Sequence, residues 1–320
     1  MSAQLEQQTS ATEPTSVWRR LIANPWLYLA LAGLLWSGNH IAGKAAAASQ
    51  MPPVSMASLR WLLGAAILWP FVGRQVIADW PQLKRGWKVV VPMCIVGGGI
   101  FSATQFIALN FTSALNASIF NSFAPGMIAA AGAILFRDRL RAMNYFGIAV
   151  SFVGVLVIVS RGSFDVLTTV QFNQGDLLLL FNMAIWAGYC TCLRLRPPVH
   201  PMTFAFIVAL IGGLSLVPAS IWEHVYVRQF QMTWFTLAVM AYITIFSGVL
   251  SYIFWNKGQE AVGASRAAVF LHLIPFYGAV LATTLLGEHL MTFHIAGCAL
   301  ILAGVWIASR GGSSATPRSA

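Results

Sequence analysis

The sequence predicts an all-α integral membrane protein with ten transmembrane helices in two inverted five-helix repeats. Three observations predict it. The chain of 320 residues is 58% apolar and only 9% charged, with a mean hydropathy of +0.73. Soluble domains carry about 25% charged residues, so the solvent of this surface is lipid. Secondly, a shift of 150 residues lays the second half on the first without a gap. Trp36 then falls on Trp186, Gly38 on Gly188, Lys44 on Arg194, Pro125 on Pro275, Leu140 on Leu290, Gly147 on Gly297 and Gly154 on Gly304. The charged turn at 136–140 lies over a second one at 286–290. A long repeat in so apolar a chain points to a transporter of two related halves with its site between them.

The third observation is the placing of Lys and Arg between apolar stretches. About 20 apolar residues cross a bilayer as a helix. Ten stretches qualify in order: 26–48, 54–73, 87–109, 113–135, 143–160, 176–195, 202–221, 233–256, 264–286 and 292–309. Pro and Trp mark many of the ends, among them Trp26, Pro52-Pro53, Trp80, Trp87, Pro197-Pro198 and Trp234. With the N-terminus inside, Arg19, Arg20, Arg74, Lys84, Arg85, Lys88, Arg137, Arg139, Arg141, Arg194, Arg196, Lys257, Arg266, Arg310 and Arg318 are cytoplasmic. Only Lys44, Arg161 and Arg228 fall outside, and Arg60 lies within a span. The positive-inside rule therefore puts both termini in the cytoplasm. Five spans per half is an odd number, so the second half enters from the opposite side and the repeat is inverted.

The expected organisation follows. Residues 1–25 form a disordered cytoplasmic tail whose first 17 residues are polar, 26–160 the first repeat and 161–175 an external linker. The second repeat is 176–309, and 310–320 is a cytoplasmic tail with Gly311-Gly312-Ser313-Ser314. No signal peptide opens the chain. A pI near 10.0 does not imply nucleic acid, because the basic residues sit in short loops between spans. Cys94, Cys190, Cys192 and Cys298 all lie in apolar segments and make neither a disulfide framework nor a metal motif. No cofactor, metal or catalytic residue is expected, since no His-Glu-x-x-His, Gly-x-Asp or paired carboxylate occurs within a span.

Several segments carry a family resemblance. Leu35-Trp36-Ser37-Gly38-Asn39-His40-Ile41-Ala42-Gly43-Lys44 resembles the opening helix of the EamA-like drug/metabolite transporters. Ser58-Leu59-Arg60-Trp61 resembles their second-span arginine motif, and Thr112-Ser113-Ala114-Leu115-Asn116-Ala117-Ser118 the signature entering the fourth span. Gly175-Asp176-Leu177 with Trp186-Ala187-Gly188-Tyr189 resembles the start of the second repeat. Together, in this order, they cover roughly 26–309. The resemblance implies a ten-helix carrier exporting small metabolites such as amino acids, and the aromatic-rich spans are most similar to the YddG-type exporters. One departure stands out: position 210, the counterpart of Arg60, is Leu.

Polar groups inside a bilayer face a cavity or a partner. Trp36, His40 and Lys44 are spaced i, i+4, i+8 with Asn39 beside them, so one helix face carries a ring and several donors. The sixth span repeats the pattern with Trp186, Cys190 and Arg194, and Tyr189 alongside. Phe101 and Gln105 share a face of the third span. Trp255 and Ser251 share one of the eighth, next to Tyr252. Asn121 and His272 precede Pro125 and Pro275, which are expected to free the carbonyls of Asn121 and Leu271 and to act as hinges or kinks. Gly97-Gly98-Gly99 reads as close packing or local flexibility. His40 and His272 are the mid-span groups that titrate near neutral pH, and a hydrogen-bonded structural role is preferred for both over a proton relay.

No Asp or Glu lies deep in a span, whereas His40, Lys44 and Arg60 suit a carboxylate. The expected function is export of amphipathic metabolites, aromatic amino acids first, by alternating access across a bacterial inner membrane. The alternatives are drug efflux or import of another metabolite, with a membrane-embedded enzyme a distant third. The expected partners are a small-molecule substrate and lipid. The oligomeric state is open.

Overall fold

The computed structural model describes residues 24–137, 141–163, 173–262 and 269–310, and these are helical with no strand among them. In order they are α1 (Pro25–Ala48), α2 (Pro53–Arg85), α3 (Trp87–Ala108), α4 (Ala114–Phe136), α5 (Ala142–Val159), α6 (Gln174–Leu195), α7 (Pro201–Tyr226) and α8 (Trp234–Gln259). The 3-10 turn Val269–His272 leads into α9 (Leu273–Leu285), and α10 (Thr292–Arg310) follows. Six of them, α2, α3, α4, α6, α7 and α8, are long and apolar enough to cross a membrane, and shorter apolar helices fill α5, α9 and α10. Phe71 and Trp234 are 82% and 88% exposed, a surface only lipid tolerates.

The helix starts follow local chemistry. Pro25, Pro53 and Pro201 occupy the first turns of α1, α2 and α7, where a missing N–H is harmless. Asn24, Ser113, Asn173 and Thr233 each accept a backbone N–H as N-caps of α1, α4, α6 and α8. Two helices exceed the expected spans: α2 runs to Arg85 and α7 to Tyr226. At 1.5 Å per residue, the 33 residues of α2 measure about 50 Å, longer than the roughly 30 Å hydrocarbon core.

Three helices, α3, α4 and α8, are broken, and a 3-10 turn leads into α9 near the position corresponding to the break in α4. In α3 the α-helical ladder gives way to a π-helical stretch at Ile95–Ile100, and in α8 at Tyr242–Leu250. Subtracting 150 from the second range gives 92–100. The glycine run explains the first break. A Cβ on Gly98 would lie 2.6 Å from the Val208 carbonyl oxygen, and one on Gly99 the same distance from Ser215 Oγ. Packing against α7 thus admits only glycine here, and glycine is a weak helix former.

The second pair is the break in α4, the 3-10 turn Asn121–Phe123, and the 3-10 turn Val269–His272 that leads into α9. They correct the expectation for Pro125. The Asn121 carbonyl is not freed, because it accepts the N–H of Ala124. Pro125 instead stands in the first turn of the segment Ala124–Phe136.

Helices in lipid gain little from the hydrophobic effect, so close packing and hydrogen bonds hold them. α5 and α10 run antiparallel with Gly154 against Gly297 and Gly147 against Gly304. Ser151 Oγ donates to the carbonyl of Ile301 at 3.1 Å, and these two residues are 150 apart. α2 and α7 pair the same way. Ser220 Oγ donates to Ser55 Oγ at 3.0 Å at one end, Gly213 meets Leu62 in the middle, and the His200 N–H donates to Asp79 at the other.

Candidate functional site

Trp36 on α1 lies 5.3 Å from Trp255 and 5.9 Å from Tyr252, both on α8. Trp186 on α6 lies 4.8 Å from Phe101 on α3 and 5.4 Å from its helix neighbour Tyr189. Each cluster joins a helix of one half to a helix of the other, and α1/α6 and α3/α8 correspond under the 150-residue shift. Glycines make the approaches possible. Tyr242 lies over Gly38 and donates its hydroxyl to the Leu35 carbonyl at 3.2 Å. Tyr189 lies over Gly97, within the π-helical stretch of α3.

The polar groups here divide into paired and unpaired. His40 is paired on both nitrogens: Asn121 Nδ2 lies 2.9 Å from Nε2, and Ser118 Oγ 3.3 Å from Nδ1. Ser118 donates its own hydrogen to the Ala114 carbonyl, so it accepts from His40 Nδ1–H, which leaves Nε2 to accept from Asn121. A neutral ring satisfies every contact. By contrast, Asn39 Oδ1, Asn182 Oδ1, Ser122 Oγ, Thr244 Oγ1, Ser247 Oγ, Trp61 Nε1 and Arg60 Nε are buried with no hydrogen-bond partner. Native interiors leave few such groups, and each calls for an explanation. Arg60 is 9% exposed, and its Nη1 reaches Ser102 Oγ only at 3.4 Å. Its guanidinium sits 4.7 Å from the Trp61 ring centroid and within electrostatic reach of His40 and Tyr252.

The opposite holds around the turn joining α3 to α4. Lys44 Nζ donates to the carbonyls of Leu109 (3.1 Å) and Thr112 (2.6 Å). Asp176 accepts from the Thr112 hydroxyl and, at 3.0 Å, from Asn116 Nδ2. Glu288 accepts the N–H groups of Ala114 and Leu115, each at 2.9 Å, and Arg228 donates to Asn110 Oδ1 at 2.7 Å. His294 accepts the Met291 N–H on Nδ1 and therefore donates from Nε2 to Asn116 Oδ1 at 3.0 Å. Carboxylates at a helix N-terminus also complement its dipole. Glu223 does the same for α2 through Val54 and Ser55.

Two copies of the EamA-like transporter pattern match this chain, at residues 24–160 and 173–310. The chain belongs to the EamA-like transporter family. It is an integral membrane transporter. This EamA-like protein is 27% identical to an uncharacterized transporter of Archaeoglobus fulgidus, over 88% of this chain and 96% of that one. It is 26% identical to an uncharacterized transporter of Bacillus subtilis (80% and 84% covered). It is likewise 26% identical to a probable amino-acid metabolite efflux pump of Salmonella typhimurium (87% and 92% covered). A solved crystal structure 20% identical in sequence has a TM-score of 0.54, covering 89% of this chain and 97% of the other. That likeness extends to the fold.

Among the twelve residues singled out for substrate, the EamA-like fold brings Trp36, Tyr252 and Trp255 together on one side, and Phe101, Trp186 and Tyr189 on the other. Asn39 and Gln105 are buried on the same helices, α1 and α3. His40 and Asn121 bond to each other. Lys44 stands apart, its ammonium spent on the α3–α4 turn. The side chain of His272 lies outside the described residues. Of the two prolines, Pro275 is buried and Pro125 exposed. The sequence reading passed over Asn182, whose Nδ2 donates to the Phe101 carbonyl at 2.6 Å, and Tyr242. A mid-helix Asn and a Tyr among apolar residues were the available signals.

Proposed function

We propose that this transporter exports small amphipathic metabolites, aromatic amino acids foremost, by alternating access between two inverted five-helix halves. The observation that carries the reading is the pair of aromatic clusters, each bridging the two halves. Such walls contact an apolar side chain on both of its faces. The relative named a probable amino-acid metabolite efflux pump supports the substrate class. Antiparallel packing of corresponding residues, Ser151 on Ile301 and the Gly147/Gly304 and Gly154/Gly297 contacts, supports a pseudo-two-fold axis in the membrane plane.

On this reading the chain makes ten crossings of a bacterial inner membrane, with repeats at 26–160 and 176–309 and both termini cytoplasmic. The Lys44–Asp176–Glu288 network then closes the outer end. Opening outwards exchanges those hydrogen bonds for water while the broken helices α3, α4 and α8 and the turn before α9 bend, with Pro125 beside the break in α4 and Pro275 beside that turn. Uptake of labelled Trp, Phe and Thr into proteoliposomes tests the reading. Transport of Trp or Phe that Trp186→Ala reduces at least about tenfold is expected, the loss of one well-stacked ring contact. No movement of any of the three, or an unaffected Trp186→Ala, refutes it.

A further inference from the structure

The same central region holds one formal charge that the described structure leaves without a counter-charge. Arg60 is buried, its Nε has no acceptor, and its Nη1–Ser102 contact at 3.4 Å is longer than an ordinary hydrogen bond. Burying a guanidinium is costly unless an anion and several acceptors surround it. The described carboxylates are engaged elsewhere: Asp79 on the His200 N–H, Glu223 on α2, Asp176 and Glu288 on α4. The Trp61 ring lies against the guanidinium, and His40 and Tyr252 are within electrostatic reach; Tyr252 in turn touches Trp36. Ser102, which Arg60 reaches, directly follows Phe101 in the chain, so the unpaired cation adjoins the Phe101–Trp186 cluster.

The groups that would receive an ammonium are of another kind. Asn39 Oδ1 and Asn182 Oδ1 are unpaired acceptors, but they are neutral. A neutral acceptor makes a hydrogen bond with an ammonium, and it makes one equally with water or a hydroxyl. In a low-dielectric site a charge-assisted, bidentate guanidinium–carboxylate pair is far stronger than such a bond. Recognition is accordingly lopsided, with charge read at one end of the substrate only.

We infer that Arg60 anchors the substrate carboxylate and that the ammonium is dispensable, so the site takes aromatic monocarboxylates, including 2-oxo acids, alongside aromatic amino acids. The inference rests on the aromatic-metabolite reading above. It makes the substrate class wider than amino acids and closed to aromatic amines.

Competition against labelled phenylalanine uptake by the full-length protein in proteoliposomes tests it, with phenylpyruvate and phenethylamine as competitors. Direct binding of all three to the purified protein, read by thermal shift, is the second measurement. Phenylpyruvate should act within about tenfold of phenylalanine, and phenethylamine should be about 100-fold weaker, as expected for loss of one charge-assisted pair. Arg60→Gln should weaken phenylalanine and phenylpyruvate alike by about 100-fold, and Arg60→Lys by less, because it keeps the charge but not the fork. Monodispersity and melting temperature report whether each variant folds, and the wild-type ligand series needs no variant at all.

Phenethylamine matching phenylalanine, or phenylalanine bound while phenylpyruvate is refused, overturns the inference. So does a folded Arg60→Gln with unchanged affinity. Phenylpyruvate bound without phenylalanine leaves the carboxylate anchor standing and removes the amino-acid reading. Binding of neither acid overturns both.

Discussion

The end of the molecule around the α3–α4 turn and its aromatic middle use polar groups in opposite ways. At the turn, Lys44, Asp176, Arg228, Glu288 and His294 reach in from separate elements, and each meets a backbone or side-chain partner within 3.1 Å. In the middle, Asn39, Arg60, Asn182, Thr244 and Ser247 each leave an atom unpaired. Paired buried polar groups specify a structure, whereas unpaired ones cost stability and persist where something else repays them. On the function proposed above, the difference separates residues that hold this transporter together from those offered to its cargo. It also explains why the number of charged residues in a span is a poor guide to function. Lys44 and Arg60 both look like substrate ligands in the sequence, yet one is spent on two carbonyls and the other has no firm partner.

The largest effect should come from the turn. Asp176 is 1% exposed and takes two hydrogen bonds, so Asp176→Ala leaves the Thr112 hydroxyl without its acceptor and the Asn116 amide with Thr112 Oγ1 alone. A loss of about 3 kcal/mol is expected, seen as a clear drop in melting temperature of the detergent-purified protein. A melting temperature equal to wild type would show that the turn is not held by its polar contacts. Glu288→Gln comes next. One amide oxygen can still accept a backbone N–H from the α4 N-terminus, but the charge is gone and the second N–H faces an NH2. About 1 to 2 kcal/mol is expected, again read by thermal melts and with less change in transport per folded molecule than in stability.

The middle should respond with the opposite sign. Ser247→Ala removes a hydroxyl that is 1% exposed and has no partner, and Asn39→Leu removes an unpaired carbonyl oxygen. Each should leave stability unchanged or raise it by up to about 1 kcal/mol while lowering transport of labelled phenylalanine. Destabilisation beyond about 1 kcal/mol would mean that these groups have structural partners, and the contrast between the two regions would collapse.

Much of this architecture was legible in the sequence. The 150-residue shift matched Gly147, Gly154, Gly297 and Gly304 before any contact was known, because close helix packing in lipid demands small residues whatever the surroundings. Some helix limits followed from Pro and Trp at their ends, as at Pro53, Trp87 and Trp234, but Trp80 marks none, because α2 runs through it to Arg85. The breaks were not legible. A π-helical stretch at Tyr242–Leu250 leaves no compositional mark beyond Gly248, and the Asn121–Phe123 turn absorbed Pro125 in a way that spacing cannot show. Nor was pairing legible. Whether Lys44 meets a carbonyl or a substrate depends on where the α3–α4 turn lies, and that is set by residues up to 244 positions away, such as Glu288.

The smallest effect is expected at His40, and it is the sharpest test of the rule that pairing marks structure. His40 lies in the middle, beside the aromatic clusters, yet Ser118 and Asn121 satisfy both of its nitrogens in the neutral form. It should therefore behave like a residue of the turn and not like Arg60. Gln offers one donor and one acceptor at similar reach, so His40→Gln should change stability by less than about 0.5 kcal/mol, within the range of a retained hydrogen-bond pair. The consequence for transport is specific. If His40 carried protons, its removal would flatten the dependence of transport on pH between about 5 and 8, where an ordinary histidine titrates. A structural His40 predicts that wild type and His40→Gln share one pH profile in proteoliposomes, whatever its shape. A profile that loses a step in His40→Gln would assign the proton to this ring, and pairing in one conformation would then be no guide to function in the other.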